Sequence, residues 1–290
     1  MKKLKGQVAV VAGASRGAGR GIALALGESG ATVYVVGRTT RGGPKPPDGA
    51  PGTVEDTADA VTARGGQGIA VRADCTVESE VAALFDRVGR EQGKVDVLAN
   101  AVWGAADALQ PGEDPLAGWS RPYWEEAPRY WRPMMEGGPH AYLLTSCYSA
   151  RMMVAGGGGL IVGLTDGVVE GASPDDYGGQ LVWDLSHHCI NRMLKGMSAE
   201  GKKCKLAVIT LMPGFMQTER VQAYAATEEL KKMFHFEKSE SVEYVGRAVA
   251  ALAADKKVMA KTGKILFVAD LAREYGFTDI DGRQVPRFHP

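Results

Sequence analysis

Residues 8–24 read VAVVAGASRGAGRGIAL. Five small or β-branched apolar residues lead directly into Gly13, and Gly17, Gly19 and Gly21 follow before the pattern turns helical. A turn this tight needs backbone angles that a side chain obstructs, and a phosphate reaches main-chain N–H groups only where side chains are missing. A glycine turn that follows a strand and opens a helix near the start of a chain therefore reads as a seat for a nucleotide pyrophosphate. Its residues are Gly13, Ser15, Arg16, Gly17, Ala18 and Gly19.

Outward from this stretch, β-branched runs recur with helical segments between them: ATVYVVG, GIAVRA, VDVLAN, GLIVGL, KLAVITL and KILFVA. Strands that are apolar almost throughout are buried on both faces, and strand–helix alternation gives a parallel sheet. The expectation is an α/β chain: a single-domain Rossmann fold over residues 1–290, with a doubly wound parallel seven-stranded sheet. Three segments break the rhythm. Residues 41–52, RGGPKPPDGAPG, are too rich in Pro and Gly for regular structure, and 107–124 insert after the fourth strand. Residues 216–240 follow the sixth strand, where a lid would cover a pocket.

Composition narrows the function. Thirty-four basic and 34 acidic side chains cancel, so no net field favours nucleic acid or an anionic membrane, and a small-molecule substrate is expected. No run approaches the ~18 uncharged apolar residues of a membrane span. The lysines of MKKLKG precede an apolar run too short for a leader and interrupted after it by Arg16. Cys75, Cys147, Cys189 and Cys204 lack metal-site spacing and read as reduced, mostly buried thiols of a cytoplasmic protein, with no metal.

The second strand ends in Gly37, Arg38 and Thr39, without the carboxylate that would accept from a ribose 2′-hydroxyl. Arg38 and Arg16 offer guanidinium forks suited to a 2′-phosphate, so the expected cofactor is NADP(H).

The pattern G-x-x-x-G-x-G within GASRGAGRGIAL resembles the fingerprint of the short-chain dehydrogenase/reductase superfamily. VESEVAALFDRV, REQGKVDVL, RMMV, GLIV, PGFMQTE and DLAREYGFTDIDGR extend the likeness over the chain and look most like one branch of it. The resemblance implies an oxidoreductase, assembled as a homodimer or homotetramer through two long central helices. It implies that Asp74, with Cys75 beside it, approaches the adenine and that Asn100 lies by the cofactor ribose; Ala101 stands where a second Asn is usual. Pro213, Gly214, Phe215 and Thr218 are similar to the P-G-x-x-x-T clasp that holds the nicotinamide carboxamide.

The same resemblance expects a Tyr proton donor, a Lys four residues later, a substrate-orienting Ser and a water-anchoring Asn. Tyr177 has the right distance from the fifth strand but leaves Leu181 at the Lys position. Counting back from Pro213 by one helix and one strand reaches Trp183 and His187 instead. A helix cannot absorb the six residues between these registers without lengthening by about 9 Å, whereas a loop can. Trp183 and His187 are therefore placed at the Tyr and Lys positions, Thr165 and Asp166 at the Ser-Ser pair, and Glu136 at the Asn. An indole is only a donor, so the proton must come from elsewhere, with His187, Asp166 and Tyr177 as candidates. Such a set suits an imine or activated alkene better than a simple ketone. The alternatives are a non-redox enzyme using Asp166, Glu136 and His187 as acids and bases, or a nucleotide sensor without turnover.

Overall fold

Every residue of Val8–Ala12 (β1) is buried, and its side chains alternate between two cores. Ala9 and Val11 join one with Ile22, Leu26, Val245 and Val249, while Val8, Val10 and Ala12 join another with Leu84, Phe85, Met153 and Ile190. A strand covered on both faces must be apolar at every position, and this is what makes β1 legible. The computed structural model describes residues 2–109, 121–165, 180–225, 231–232 and 236–287.

Thr32–Gly37 (β2), Gln67–Arg72 (β3), Val97–Asn100 (β4), Gly159–Leu164 (β5), Leu206–Met212 (β6) and Ile265–Phe267 (β7) complete a parallel sheet in the order β3-β2-β1-β4-β5-β6-β7. The seven expected strands are all present, and β7 is short because Val268 already begins a helix. Gly17–Glu28 (α1) and Val54–Ala63 (α2) lie on one face. Glu78–Gln92 (α3) lies on the other, joined there by helices described next. The order reverses between β1 and β4, and at such a switch point the carboxyl ends of the strands open a crevice for a ligand.

After β4 the chain makes a 3₁₀ turn, Ala105–Ala108, and returns as Tyr123–Met135 (α4), continuous with a π turn at Glu136–His140 and Ala141–Ala155 (α5). Gly137, Gly138 and Pro139, residues that break or kink a regular helix, lie in this π turn inside one long rod. Leu181–Gly201 (α6) starts where the Gln180 side chain accepts from the Trp183 amide at 2.6 Å. Glu219–Tyr224 (α7), Val242–Ala254 (α8) and Val268–Tyr275 (α9) follow. The lid expected over 216–240 falls partly outside the described residues; the described part opens with a bridge between Met216 and Glu240. Among the described residues no helix is long and apolar enough to cross a membrane.

The cysteines correct one expectation. Only Cys75 is buried; Cys147, Cys189 and Cys204 are exposed, on outward positions of α5, α6 and the turn after it.

The helix behind the glycine turn packs closely on α8. A Cβ on Gly21 would lie 1.7 Å from the Val242 carbonyl oxygen, and one on Gly246 would lie 2.3 Å from that of Gly21. Gly21→Ala is therefore expected to destabilise the fold by about 1–3 kcal/mol through overpacking, read as a lower urea midpoint at unchanged slope.

Candidate nucleotide crevice and active site

Two glycines let the turn fold onto itself. A Cβ on Gly13, at φ +79°, would lie 2.6 Å from the Ala101 carbonyl oxygen, and one on Gly19 would lie 2.2 Å from that of Gly13. A Cβ on Gly17, at φ +56°, would meet only Thr218 Cγ2, at 3.7 Å, so the space beside this residue is open. Its N–H donates to Glu219 Oε2 at 2.8 Å, a carboxylate resting where an anion is expected. Ser15 is buried with its carbonyl turned to Thr57 Oγ1, and Ala18 packs against the core beneath. The turn thus fits a dinucleotide pyrophosphate by an amide whose partner is an anionic oxygen.

Beside the turn, Arg16 donates through Nη2 to Thr39 Oγ1 (3.1 Å) and the Gly52 carbonyl (2.9 Å), and through Nε to the Pro51 carbonyl (2.9 Å). Burial pulls its pKa down, while Asp48 and Glu219 oppose the shift. The proline-rich segment 41–52 is therefore a loop lying over the glycine turn. Arg38 pairs with Asp107 at 2.8 Å and stands 3.9 Å from Asp74. The Asp74 carboxylate accepts from the Thr76 amide and hydroxyl at 2.9 and 2.7 Å, which shapes the chain entering α3. Burial pushes the Cys75 thiol up to about 12, so it stays protonated.

Asn100 is fully buried, and its carboxamide is engaged by α5: Oδ1 accepts from Thr145 Oγ1 (2.7 Å) and Nδ2 donates to Ser146 Oγ (3.2 Å). What β4 offers the crevice is the main chain at Asn100 and Ala101, whose amide donates back to Ala12 at 2.9 Å.

The clasp rests on a residue that sequence reasoning missed. Glu240 is buried, with Oε2 accepting from the Gly214 amide at 2.9 Å, its own amide donating to the Phe215 carbonyl (2.9 Å) and its carbonyl accepting from Gln217 (2.8 Å). Oε1 is buried without a hydrogen-bond partner among the described residues. Burial, with the charge of Asp279 adding to it, pushes this carboxyl up to about 8. Pro213 precedes the supported turn, and Thr218 ends it by accepting from the Val221 amide as the N-cap of α7. Nothing in KSESVE marks its Glu as buried; the signal lies in the tertiary return of the chain under the clasp.

At the chemical end, three rings meet. His187 lies 4.6 Å from Trp103 and 4.7 Å from Trp183 between centroids, and the two indoles are 4.8 Å apart edge to face. His187 is buried, and its Nδ1 lies 2.9 Å from the Trp183 carbonyl oxygen. A carbonyl only accepts, so Nδ1 carries the proton and, in the neutral ring, Nε2 is the acceptor nitrogen. His188 turns away to Asp184 at 3.7 Å. Thr165, at the end of β5, is buried with Oγ1 lacking a partner among the described residues. Trp103 touches both other rings of this cluster, and its own Nε1 is buried without a hydrogen-bond partner among the described residues.

Glu136 is not brought in. Its carboxylate pairs with Arg132 at 2.8 Å and is half exposed. Gly138 instead faces the rings: a Cβ there would lie 3.2 Å from Trp103 Cζ3. A π turn adds one residue to the rod, so counting from RMMV at helical pitch rotates the expected position off the crevice face. Asp166 and Tyr177 lie outside the described residues.

A family model described as short chain dehydrogenase matches residues 7–229. The chain belongs to the short-chain dehydrogenase family. Mouse dehydrogenase/reductase SDR family member 1 is 36% identical over 97% of this chain and 86% of its own length, and represents the branch suggested by the motifs. A dehydrogenase structure from Xanthomonas campestris superposes with a TM-score of 0.79 at 21% identity, over 99% of this chain and 97% of that one, a likeness of fold. A structure described as an NAD(P)-dependent gluconate 5-dehydrogenase from Beutenbergia cavernae, with NADP bound at low occupancy, has a TM-score of 0.70 at 26% identity over 92% and 96% of the two chains. This short-chain dehydrogenase thus keeps the family's sheet and glycine turn around a cluster of two indoles and an imidazole.

Proposed function

We propose that this short-chain dehydrogenase uses NADP(H) to transfer hydride to or from a small organic carbonyl, imine or activated alkene. The end of β2 carries the reading: Arg16 bonds the Thr39 hydroxyl, Arg38 precedes Thr39 in the chain and pairs with Asp107, and no carboxylate follows Gly37. Guanidinium forks suit a 2′-phosphate, which a carboxylate would repel. The NADP held by the Beutenbergia neighbour supports the same choice. Arg38 is half exposed, so Arg38→Ala is expected to weaken NADPH binding by about tenfold and leave NADH within about twofold, measured by calorimetry. Equal losses for both coenzymes would argue against the phosphate assignment.

The main chain from Gly13 to Gly19 would seat the pyrophosphate, Asp74 and the backbone of Cys75 the adenine side, Asn100 and Ala101 the ribose, and Pro213, Gly214, Phe215 and Thr218 the carboxamide. When bound, the dinucleotide gives or takes the hydride; proton transfer and orientation fall to the chain. The buried hydroxyl of Thr165 is the group to orient a substrate oxygen or nitrogen. His187 exchanges the proton at Nε2, since Nδ1 is held on the Trp183 carbonyl. Trp103 and Trp183 exclude water and favour a flat, unsaturated substrate. Asp166 and Tyr177, which follow Thr165 in the chain, are the other candidate proton donors.

The protein works in the cytoplasm as a homodimer or homotetramer, joined through α4 and α6, whose exposed Trp124, Trp131 and Leu185 form an apolar groove with Pro128 and Leu181. The deciding experiment follows absorbance of the reduced nicotinamide with a panel of ketones, imines and enones. Turnover of an imine or enone is the expected outcome; no oxidation across the panel would leave a binding protein without redox chemistry.

A further inference from the structure

Glu219 reaches across the crevice from the start of α7 to the Gly17 amide, 202 positions away in the chain, and accepts from it at 2.8 Å. That amide lies in the first turn of the twelve-residue α1, where negative charge is favoured. The neighbouring residue secures the arm. Arg220 donates from Nε to Asp48 Oδ2 at 2.8 Å and from Nη2 to the same oxygen at 2.5 Å, and the Asp48 side chain is only 3% exposed. Asp48 belongs to the proline-rich loop whose Pro51 and Gly52 carbonyls accept from Arg16. Glycine turn, proline-rich loop and clasp are thus closed into one ring by Gly17–Glu219, Arg220–Asp48 and Arg16 with Pro51 and Gly52.

We infer that Glu219 is a built-in anionic gate: it competes with the dinucleotide's pyrophosphate for the Gly17 amide, and the pyrophosphate must displace it. This rests on the nucleotide reading above. One N–H cannot serve two anions, and two negative groups a few ångströms apart repel. Displacement frees the first residue of α7 directly after the clasp, so seating the pyrophosphate also releases the segment beside the nicotinamide end. The gate lowers apparent affinity by the fraction of molecules in which the amide is taken. A carboxylate on a helix N-terminus in a partly buried setting corresponds to a factor of about 5 to 30.

The test titrates wild type, Glu219→Gln and Glu219→Ala with NADPH and with adenosine 2′-phosphate, which keeps the 2′-phosphate and lacks the pyrophosphate. Calorimetry at low salt should show both variants binding NADPH about 5- to 30-fold tighter, with adenosine 2′-phosphate changed by no more than about twofold. The Gln variant keeps the shape of the side chain, so a folding defect of the Ala variant leaves the test standing. Unchanged or weaker NADPH binding in the variants, or an equal gain for both ligands, overturns the gate and leaves the nucleotide reading intact. No heat with NADPH in any of the three proteins overturns both.

Discussion

Glu240→Gln is expected to make the protein more stable than wild type at pH 9 by on the order of a few kcal/mol, and nearly equal to it at pH 5. The cause is a carboxyl buried under the clasp, with one oxygen accepting from the Gly214 amide and the other without a partner among the described residues, near the charge of Asp279. Burial raises its pKa from 4.5 to about 8 in the folded chain. Below the unfolded value both states carry the proton, and stability is full. As pH rises from 4.5 towards 8 the unfolded chain ionises while the folded one holds its proton, so stability falls throughout that window and levels off above it. Gln has the shape of the protonated acid and no proton to lose. Its carbonyl can accept from Gly214 at any pH. Urea midpoints from pH 4 to 9 test this: the wild-type curve should slope down against the variant's, and parallel curves would mean that Glu240 is not held protonated.

The contrast between Val11 and Glu240 shows what a sequence displays. Strands buried on both faces must be apolar without interruption, so VAVVA and LAVITLM announced themselves, and the glycine turn did too, because only glycine permits Gly13 its φ of +79° and its approach to Ala101. Side-chain direction was less legible. Asn100 is expected beside the cofactor ribose, and nothing in its sequence shows that Thr145 and Ser146 of α5 hold its side chain, leaving its main chain to the crevice. Glu136 was misplaced by one residue of π turn, a local feature with no marker beyond Gly137 and Pro139. Glu219 and Glu240 were invisible as site residues because each acts on a partner far along the chain, Glu219 on Gly17 and Glu240 on the clasp it folds beneath. Trp103 lies directly after Asn100, Ala101 and Val102 at the carboxyl edge of β4, and that position was the available signal.

His187→Phe is expected to lower kcat by about 10²- to 10⁴-fold while NADPH affinity stays within about threefold, the loss typical of a missing proton donor. Phe is the informative replacement because the imidazole sits between Trp103 and Trp183 at 4.6 and 4.7 Å, and another ring preserves those contacts. Ala would open a cavity and confound packing with chemistry. Only the nitrogens disappear: the Nδ1 bond to the Trp183 carbonyl, which fixes the ring, and Nε2, which exchanges the proton. The Trp183 carbonyl retains the Ser186 hydroxyl as a donor at 2.8 Å, so the helix is not left with an unsatisfied group. A fall in kcat without a change in binding places the imidazole in proton transfer. Unchanged kcat would transfer that role to Asp166 or Tyr177, and a loss of NADPH affinity with kcat unchanged would instead make His187 a cofactor-holding group at the Lys position, since a group that binds ground state and transition state equally leaves kcat alone.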